Sequence, residues 1–290
     1  MALLLVQLTI NGLLLGGVLA LSALGFNIIF GVMRVVNLAH GDVVVLAAMV
    51  CALAFGQTGT NPLVLLPAVV AAGFTLGAFV QRFLLHRLPA EIATAEASSL
   101  TLTFGLSFFL AGAGLAIFGG TYRSVPYLTG AFHAGAISVP QAKLLAFLAA
   151  LVVALALAAF LRFTRIGCAI RATSQHLEGA LACGVDVENV RTVSFGLGTA
   201  VAAAAGALMS MIYNLNPQLG VGFTVSAFAV VVIGGLGNYT GCVLGALVLG
   251  LVSAFTSYYA GASLSEAAPY VLFILVSLLL PSGLLGRRTA

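Results

Sequence analysis

Charged side chains are scarce in this sequence of 290 residues: Asp, Glu, Lys and Arg make up 6% of it, and Lys143 is its single lysine. A soluble domain carries about a quarter charged residues, so this composition cannot build a water-exposed surface. Tryptophan is absent, and the cysteines are scattered without CxxC or Cys/His spacing, at Cys51, Cys168, Cys183 and Cys242. We expect them to be small apolar side chains and not metal ligands. The net charge of +4 is too small and dispersed to indicate nucleic-acid binding.

Long stretches contain no charge at all. Val43–Gln81 is 39 residues without one, Ala97–Tyr122 is 26 and Thr192–Ser265 is 74. A membrane-spanning helix needs about 20 predominantly apolar residues, so the longest stretch can hold three spans with their turns. Strands of a membrane barrel would alternate apolar and polar residues, and segments such as Leu144–Leu161 do not. The sequence therefore predicts an all-α fold, a polytopic helical membrane protein.

The apolar runs predict nine spans in one membrane domain that covers residues 1–290. The alternative is eight crossings with a re-entrant segment near 223–240. Basic residues are retained on the cytoplasmic side, so Arg287 and Arg288 place the C-terminus inside. The loop at 119–142 is then outside, and nine crossings make the N-terminus extracytoplasmic. Residues 1–5 are expected to begin the first span and not a removable signal. The predicted spans are 8–30, 35–55, 62–84, 98–118, 143–161, 193–213, 223–237, 241–261 and 267–284.

Polar residues interrupt the apolar sequence at Asn37-Leu-Ala-His40-Gly41-Asp42. Ionisable groups at membrane depth are costly unless they pair or line a wet cavity. We interpret the segment as a hinge in a broken helix beside a translocation pathway, with Gly31 and Gly41 supplying backbone freedom. Direct contact with a ligand is one alternative. The other is a plain cytoplasmic turn in which Asp42 caps the next helix.

A similar pattern follows a later span, at Asn216-Pro-Gln-Leu-Gly220. The two Asn-xxx-Gly segments suggest an inverted repeat of four helices, and such repeats place transport pathways at their interface. A third segment, Gly234-Gly235-Leu-Gly237, is glycine-rich but apolar. Tight packing or a helix break is the interpretation there.

Enzymatic chemistry finds no support in these residues. The chain has no GxxxxGK[ST] motif, so it cannot hydrolyse ATP by that chemistry. It has no HExxH, and Asp42 is the one carboxylate within a predicted span, because Glu266 falls at an outer boundary. General acid–base or nucleophilic catalysis needs a second positioned group. We therefore predict no catalytic residue, no metal and no cofactor in this chain.

The longest polar stretch is 162–191, predicted to be cytoplasmic from its arginines. Ser174 is expected to cap a short helix at 175–183 that Gly184 ends. Such a helix would present Glu178 to the cytoplasm. Composition alone favours a solvated connection and a docking helix equally.

Three motifs resemble the permeases of branched-chain (hydrophobic) amino acid ABC importers. The first is Val36 to Asp42, similar to that family's Ile-Asn-Phe-Ala-His-Gly-Glu, with Asp42 where Glu is commoner. The others begin at Thr164-Arg165-Ile-Gly167 and at Ala227-Phe228. Their order and spacing match from end to end, and the compact length resembles the shorter of the two permease subunits. The resemblance implies that 162–191 is an ATPase-docking loop of the Glu-Ala-Ala-xxx-Gly kind, with Gly179 in place of the first Ala. Its docking residues would be Arg165, Gly167, Arg171, Glu178 and Gly184.

The resemblance also implies the partners. These are a second homologous permease subunit, two cytoplasmic ATPase subunits that bind ATP and magnesium, and a soluble periplasmic binding protein, all at the bacterial inner membrane. Similar permeases carry branched-chain amino acids, urea, short amides or aromatic acids. A secondary transporter or channel is the alternative from another class, and it should show further carboxylates within the spans.

Overall fold

A computed structural model describes residues 2–87, 92–134, 137–280 and 283–285. Within these ranges the regular structure is α-helical apart from one short β-hairpin and two single 3₁₀ turns, at Leu85–Arg87 and Pro217–Leu219. The elements are α1 (Ala2–Met33), α2 (His40–Thr58), α3 (Pro62–Phe83), α4 (Ile92–Phe118), β1 (Ala131–Ala134), β2 (Ile137–Pro140), α5 (Gln141–Phe163), α6 (Arg165–Gln175), α7 (Leu177–Ala182), α8 (Val187–Met209), α9 (Gly220–Gly234), α10 (Tyr239–Tyr259) and α11 (Ala262–Leu279).

Every predicted span contains a helix. Eight helices among the described residues are long and apolar enough to cross a membrane, and Ser263–Leu279 in α11 is a shorter apolar helix. Several boundaries differ from the sequence prediction: the second span begins at His40 instead of residue 35, α9 ends at Gly234 instead of 237, and α1, α4 and α8 each begin six residues earlier than predicted. Apolar residues outside a helix are indistinguishable by composition from those inside it, which explains such shifts.

Local capping accounts for several helix starts. Asn61 accepts a hydrogen bond from the Leu63 amide at the start of α3, and Asp186 accepts one from Asn189 at the start of α8. Asn238 does the same for Gly241 at the start of α10. Short polar side chains satisfy the amides that a first helical turn leaves unpaired, so these residues set where the helices begin.

The core is built around α8 and α1. The alanines from Ala200 to Ala207 are buried, and α8 packs against α1, α2 and α3. At the crossing of α1 with α8, a Cβ added to Gly25 would lie 2.5 Å from the Gly198 carbonyl oxygen. A Cβ added to Gly198 would lie at the same distance from the Gly25 carbonyl oxygen. Hydrophobicity does not draw helices together in lipid, so close packing of small residues is what joins this pair.

The helices pack in a reciprocal pattern. Helix α1 lies along α10 while α8 lies along α3, and α2 lies against α9. This is the arrangement expected if α1–α3 and α8–α10 are related units that exchange their third helices. The predicted repeat thus has a counterpart in the packing, over three helices of each unit.

The segment 119–142 departs from the all-α prediction. Its strands β1 and β2 pair antiparallel, and Ser138 in β2 accepts and donates hydrogen bonds with the Gln7 side chain in α1. Arg123 and Leu215 exchange two backbone hydrogen bonds of 2.8 Å. The segment therefore covers the ends of α1 and α8. Strands of four residues are too short for any periodicity to reveal them.

The end of the described chain returns to the bundle. The Leu284 amide donates to the Ile233 carbonyl at 2.7 Å, and the Asn238 side chain donates to the Leu285 carbonyl at 2.8 Å. These contacts fasten the tail to the turn between α9 and α10. Arg287 and Arg288, from which the position of the C-terminus was predicted, lie outside the described residues.

Candidate functional site

The first polar segment is a helix break that turns back into the bundle. Helix α1 ends at Met33 and α2 begins at His40. The His40 Nε2 atom lies 3.0 Å from the carbonyl oxygen of Ser22, which precedes the end of α1 by three helical turns. At 1.5 Å per residue that is about 16 Å along the α1 axis. The chain therefore leaves α1, reverses, and starts α2 well inside the bundle.

The backbone freedom for this reversal comes from an unexpected residue. Gly31 and Gly41 are both helical, whereas Arg34 adopts a left-handed conformation with φ 56°. A non-glycine residue rarely takes this conformation because its Cβ crowds the backbone. The prediction that the two glycines supply the freedom was wrong, and Gly41 has a different role.

Asp42 lies near the middle of the membrane domain. Its carboxylate accepts a hydrogen bond of 2.5 Å from the Ser107 hydroxyl, and Ser107 is at the centre of the span Ala97–Phe118. Only 2% of Asp42 is exposed. The side chain does not cap α2, whose N-cap position is Ala39 without a side-chain cap. The alternative of a plain cytoplasmic turn is therefore wrong.

Gly41 and Gly220 bring the two Asn-xxx-Gly segments together. A Cβ added to Gly41 would overlap the carbonyl oxygen of Gly220, and one added to Gly220 would overlap the Asp42 carboxylate. Thr224 links the same elements, because its Oγ1 accepts from the Gly41 amide at 2.8 Å and donates to the Leu38 carbonyl at 2.9 Å. The starts of α2 and α9 are thus held in direct contact at mid-depth.

The two asparagines play equivalent parts. The Asn37 Oδ1 atom accepts from the Ala39 amide at 3.1 Å, and the Asn216 Oδ1 atom accepts from the Gln218 amide at 2.9 Å. Each asparagine forms a turn in which its side chain replaces a backbone acceptor. Both residues are buried, so each satisfies an amide that lipid could not.

The glycine-rich segment lies at the other end of α9. Gly235 and Gly237 have positive φ values of 102° and 78°, and a Cβ on Gly234 would overlap the backbone of Gly241. The segment is thus both a helix break and a close packing point. Asn27 in α1 holds it by accepting from the Gly237 amide at 2.9 Å. Gly234 is separated from Gly220 by the length of α9, about 21 Å, so the structure does not unite the two groups of predicted pathway residues.

The predicted docking loop contains two helices. Thr164 caps α6 by accepting from the Gly167 amide at 2.9 Å, and Gly167 is buried against the end of α5, where a side chain would not fit. Helix α7 is capped by His176, whose Nδ1 accepts from the Gly179 amide at 2.8 Å. Ser174 was wrongly predicted as this cap. It lies inside α6, because the extended backbone that ends α6 falls at His176.

Gly184 ends α7 as predicted. It has φ 75°, its amide donates to the Leu181 carbonyl at 2.9 Å, and the Val185 amide donates to the Ala180 carbonyl at 3.0 Å. This pair of bonds around a left-handed residue is the Schellman motif. Glu178 is exposed, as are the apolar Leu177 and Leu181. Helix α7 therefore presents a small mixed surface that no described residue covers.

The two predicted docking arginines on α6 differ in setting. Arg165 is exposed in the first turn of α6. Arg171 is also exposed, but it donates to the Arg162 carbonyl at 3.4 Å and lines a cavity with Arg34. Of the predicted docking residues, Arg171 is the one that lines this cavity.

Four residues that support the breaks were missed in the sequence: Ser22, Asn27, Ser107 and Thr224. Serine and threonine are frequent in membrane helices, where their hydroxyls commonly bond to the preceding turn, so they gave no signal. Asn27 did give one, as an amide side chain in the middle of a predicted span. Polar groups at that depth need partners, and this one could have been suspected.

The fold is similar to that of a solved structure. PsaBC from Streptococcus pneumoniae in complex with Fab matches with a TM-score of 0.50 at 14% identity, over 94% of this chain and 91% of that chain. At this identity the likeness concerns the fold alone.

Curated proteins match over nearly the full length. The high-affinity branched-chain amino acid transport system permease protein LivH of Escherichia coli K12 is 30% identical over 97% of this chain and 95% of its own. BraD of Pseudomonas aeruginosa, with the same description, is 28% identical with the same coverage. A probable LivH of Methanocaldococcus jannaschii is 24% identical over 95% of this chain and 91% of its own.

A family model agrees with these relatives. The model described as branched-chain amino acid transport system, permease component, matches residues 8–278. That range includes both helix breaks, the glycine-rich segment and the loop with α6 and α7. The chain belongs to the family of permease components of branched-chain amino acid transport systems.

Proposed function

We propose that this chain is the membrane permease subunit of a binding-protein-dependent ABC importer that carries branched-chain amino acids across the inner membrane. The observation that carries the transport part is the meeting of two helix breaks at Gly41 and Gly220, near mid-depth. Broken helices at membrane depth are tolerated only inside protein or along a cavity, and they form substrate pathways in transporters. The cargo is proposed from the printed descriptions of the relatives.

The polar groups at the break favour a hinge over tight capture of a ligand. Asn37, His40 and Thr224 each bond to backbone groups of the break itself or of α1. Asp42 bonds to Ser107 and has no cationic partner among the described residues. Because these groups are occupied in holding the helix ends, a hydrophobic amino acid would pass apolar walls nearby and leave quickly.

The loop with α6 and α7 is proposed to dock an ATPase subunit. Support comes from the exposed side chains of Leu177, Glu178 and Leu181 on α7. Caps at both ends stabilise this helix. Apolar residues exposed beyond the membrane helices are typical of an interaction site. Two such subunits would bind ATP and magnesium and would hydrolyse the ATP.

The remaining partners are a second homologous permease and a periplasmic binding protein. The orientation that suits them has the N-terminus and the hairpin segment outside, and α6, α7 and the C-terminus in the cytoplasm. Its support is the concentration of arginines around α6. Closure of the ATPase pair would then pull on α7 and change the contact between the two breaks.

Uptake by the assembled transporter tests this function. The chain is reconstituted in proteoliposomes with its second permease, its ATPases and its binding protein, and radiolabelled leucine, isoleucine, valine, urea, acetamide and phenylacetate are compared. We expect ATP-dependent uptake of the three amino acids only. Uptake of urea, acetamide or phenylacetate in their place would show that the proposed cargo is wrong and that the chain is still part of an ABC importer.

Omitting single components separates the roles. Without the ATPases we expect neither uptake nor ATP hydrolysis, because the chain lacks a GxxxxGK[ST] motif. ATP turnover by the purified chain alone would contradict the proposal. Uptake driven by an ion gradient without ATPases would assign the chain to secondary transport.

A further inference from the structure

An open cavity of about 760 Å³ lies at the end of the bundle where α6 packs. Its walls come from the last turns of α1 and α5, from α6, and from the turn between α9 and α10. Gly41 and Gly220 do not line it, and the length of α9, about 21 Å, separates Gly220 from the turn that does. The cavity is thus distinct from the contact between Gly41 and Gly220.

Three arginines line this cavity: Arg34, Arg162 and Arg171. No acidic residue lines it, and none of the three forms an ion pair within the part of the chain that is described. Arg162 lies over the Phe163 ring at 5.5 Å, and the Arg171 guanidinium donates only to the Arg162 carbonyl. Positive charge is therefore gathered here without a counter-charge from the described residues.

The backbone contributes to this gathering at one point. Arg34 holds a left-handed φ of 56° directly after α1. A non-glycine residue takes this strained conformation only where its surroundings require it. In this conformation Arg34 is exposed and lines the cavity.

The rest of the lining is mostly apolar. Ile28, Val32 and Ile170 are buried, and Leu161 and Leu236 add to the apolar lining. The other polar members of the lining are uncharged: Asn27, Ser174, Gln175, Tyr239 and Thr240. A cavity with guanidinium groups at its mouth and aliphatic walls between membrane helices matches a molecule with an anionic head and a hydrocarbon body. A free carboxylate or phosphate would use the arginines and leave the apolar walls wet.

We propose that this cavity binds an anionic phospholipid, with the phosphate on Arg34, Arg162 and Arg171 and an acyl chain along the apolar wall. Guanidinium groups match phosphate oxygens in pairs, and basic pockets between membrane helices bind anionic headgroups. The site joins α1, which carries the first break, to α6, the neighbour of α7. The bound lipid therefore stabilises the packing of α6 against α1. The proposal needs only that this end of the bundle lies at a membrane surface.

Native mass spectrometry of the purified full-length chain tests the site. The chain in detergent is titrated with phosphatidylglycerol and, separately, with phosphatidylcholine of the same acyl chains. We expect phosphatidylglycerol to bind more tightly, and its affinity to fall about fivefold for each arginine replaced by glutamine. The double variant R34Q/R171Q is compared with R82Q/R87Q, which removes the same charge outside the cavity. R34K/R171K should keep most of the binding and shows that charge, not folding, is responsible.

Each of the following results would overturn the proposed phospholipid site. Equal binding of the two lipids, or equal loss in R82Q/R87Q, would mean attraction to general positive charge. Displacement of phosphatidylglycerol by inorganic phosphate would indicate a site for a soluble phosphate. Unchanged lipid binding with lost ATPase association in R34Q/R171Q would indicate carboxylates of a partner protein. None of these results bears on uptake, so the proposed transport function is judged separately.

Discussion

The contact between Gly41 and Gly220 depends on the absence of a Cβ atom at both residues. Each lies at the fifth position of an Asn-xxx-Gly segment, and each faces the other segment so closely that a Cβ would overlap it. Helices α2 and α9 can begin side by side only because both residues are glycine. The contact is therefore one of the closest approaches in the packing of the helices.

Gly41→Ala should reduce transport strongly, because overpacking a tight contact costs typically 1–3 kcal/mol and here shifts backbone against backbone. The matched control is Gly56→Ala in the same helix, where nothing lies within 4 Å of the added Cβ. Uptake and thermal unfolding of both variants in the assembled transporter provide the measurement. Equal uptake by the two variants would show that α2 and α9 do not need this approach.

His40→Leu tests whether the break is a hinge or a recognition site. The variant loses the bond from the ring to the Ser22 carbonyl, and an unsatisfied buried polar group costs roughly 1–3 kcal/mol. We expect the uptake rate to fall to a similar extent for leucine, isoleucine and valine, and His40→Gln to recover part of it through its amide donor. A change in the preferred substrate with the best rate intact would instead indicate direct recognition.

At the scale of the elements, α7 is the part most open to a partner. It is only six residues long, so its shape depends on its caps: the His176 side chain at one end and the left-handed Gly184 at the other. Isolated helices of this length do not hold in water. Loss of either cap should therefore weaken the binding of a partner to α7 before it affects the membrane helices.

Gly184→Val should weaken ATPase association, because a left-handed conformation costs a residue with a Cβ roughly 1–2 kcal/mol and more when it is β-branched. Gly184→Asn is the matched control, since asparagine tolerates this conformation and nothing lies within 4 Å of the position. Co-purification of the ATPase with each variant, at equal permease expression, measures the effect. Full association with the valine variant would make α7 a passive connection.

At the scale of the whole molecule, orientation is open to a direct test with the native cysteines. Cys168 and Cys183 are exposed on α6 and after α7, whereas Cys51 and Cys242 are buried. A membrane-impermeant maleimide should label the chain in inverted vesicles and not in intact spheroplasts. Bound ATPases should protect Cys183, and the double variant C168S/C183S should remain unlabelled throughout. Labelling of Cys168 or Cys183 from outside would reverse the proposed topology.

The sequence by itself determined the membrane class and the polar and glycine-rich segments at which the helices break. Charge-free runs reveal spans because lipid excludes charge, and the polar residues from Asn37 to Asp42 are visible against such a background. Gly184 was predictable as a helix end because the preference of left-handed positions for glycine is local. Family membership followed from motifs whose order and spacing extend over the chain.

Only the tertiary structure decided what those breaks touch. That α2 starts level with Ser22 and Ser107, that Gly41 faces Gly220, and that Arg34 joins Arg162 and Arg171 around one cavity are contacts between distant parts of the chain. Serine and threonine gave no warning because their hydroxyls are satisfied locally in most membrane helices. The physical reason is that hydropathy records how each segment meets lipid, whereas helix-to-helix packing depends on the shapes of both surfaces at once.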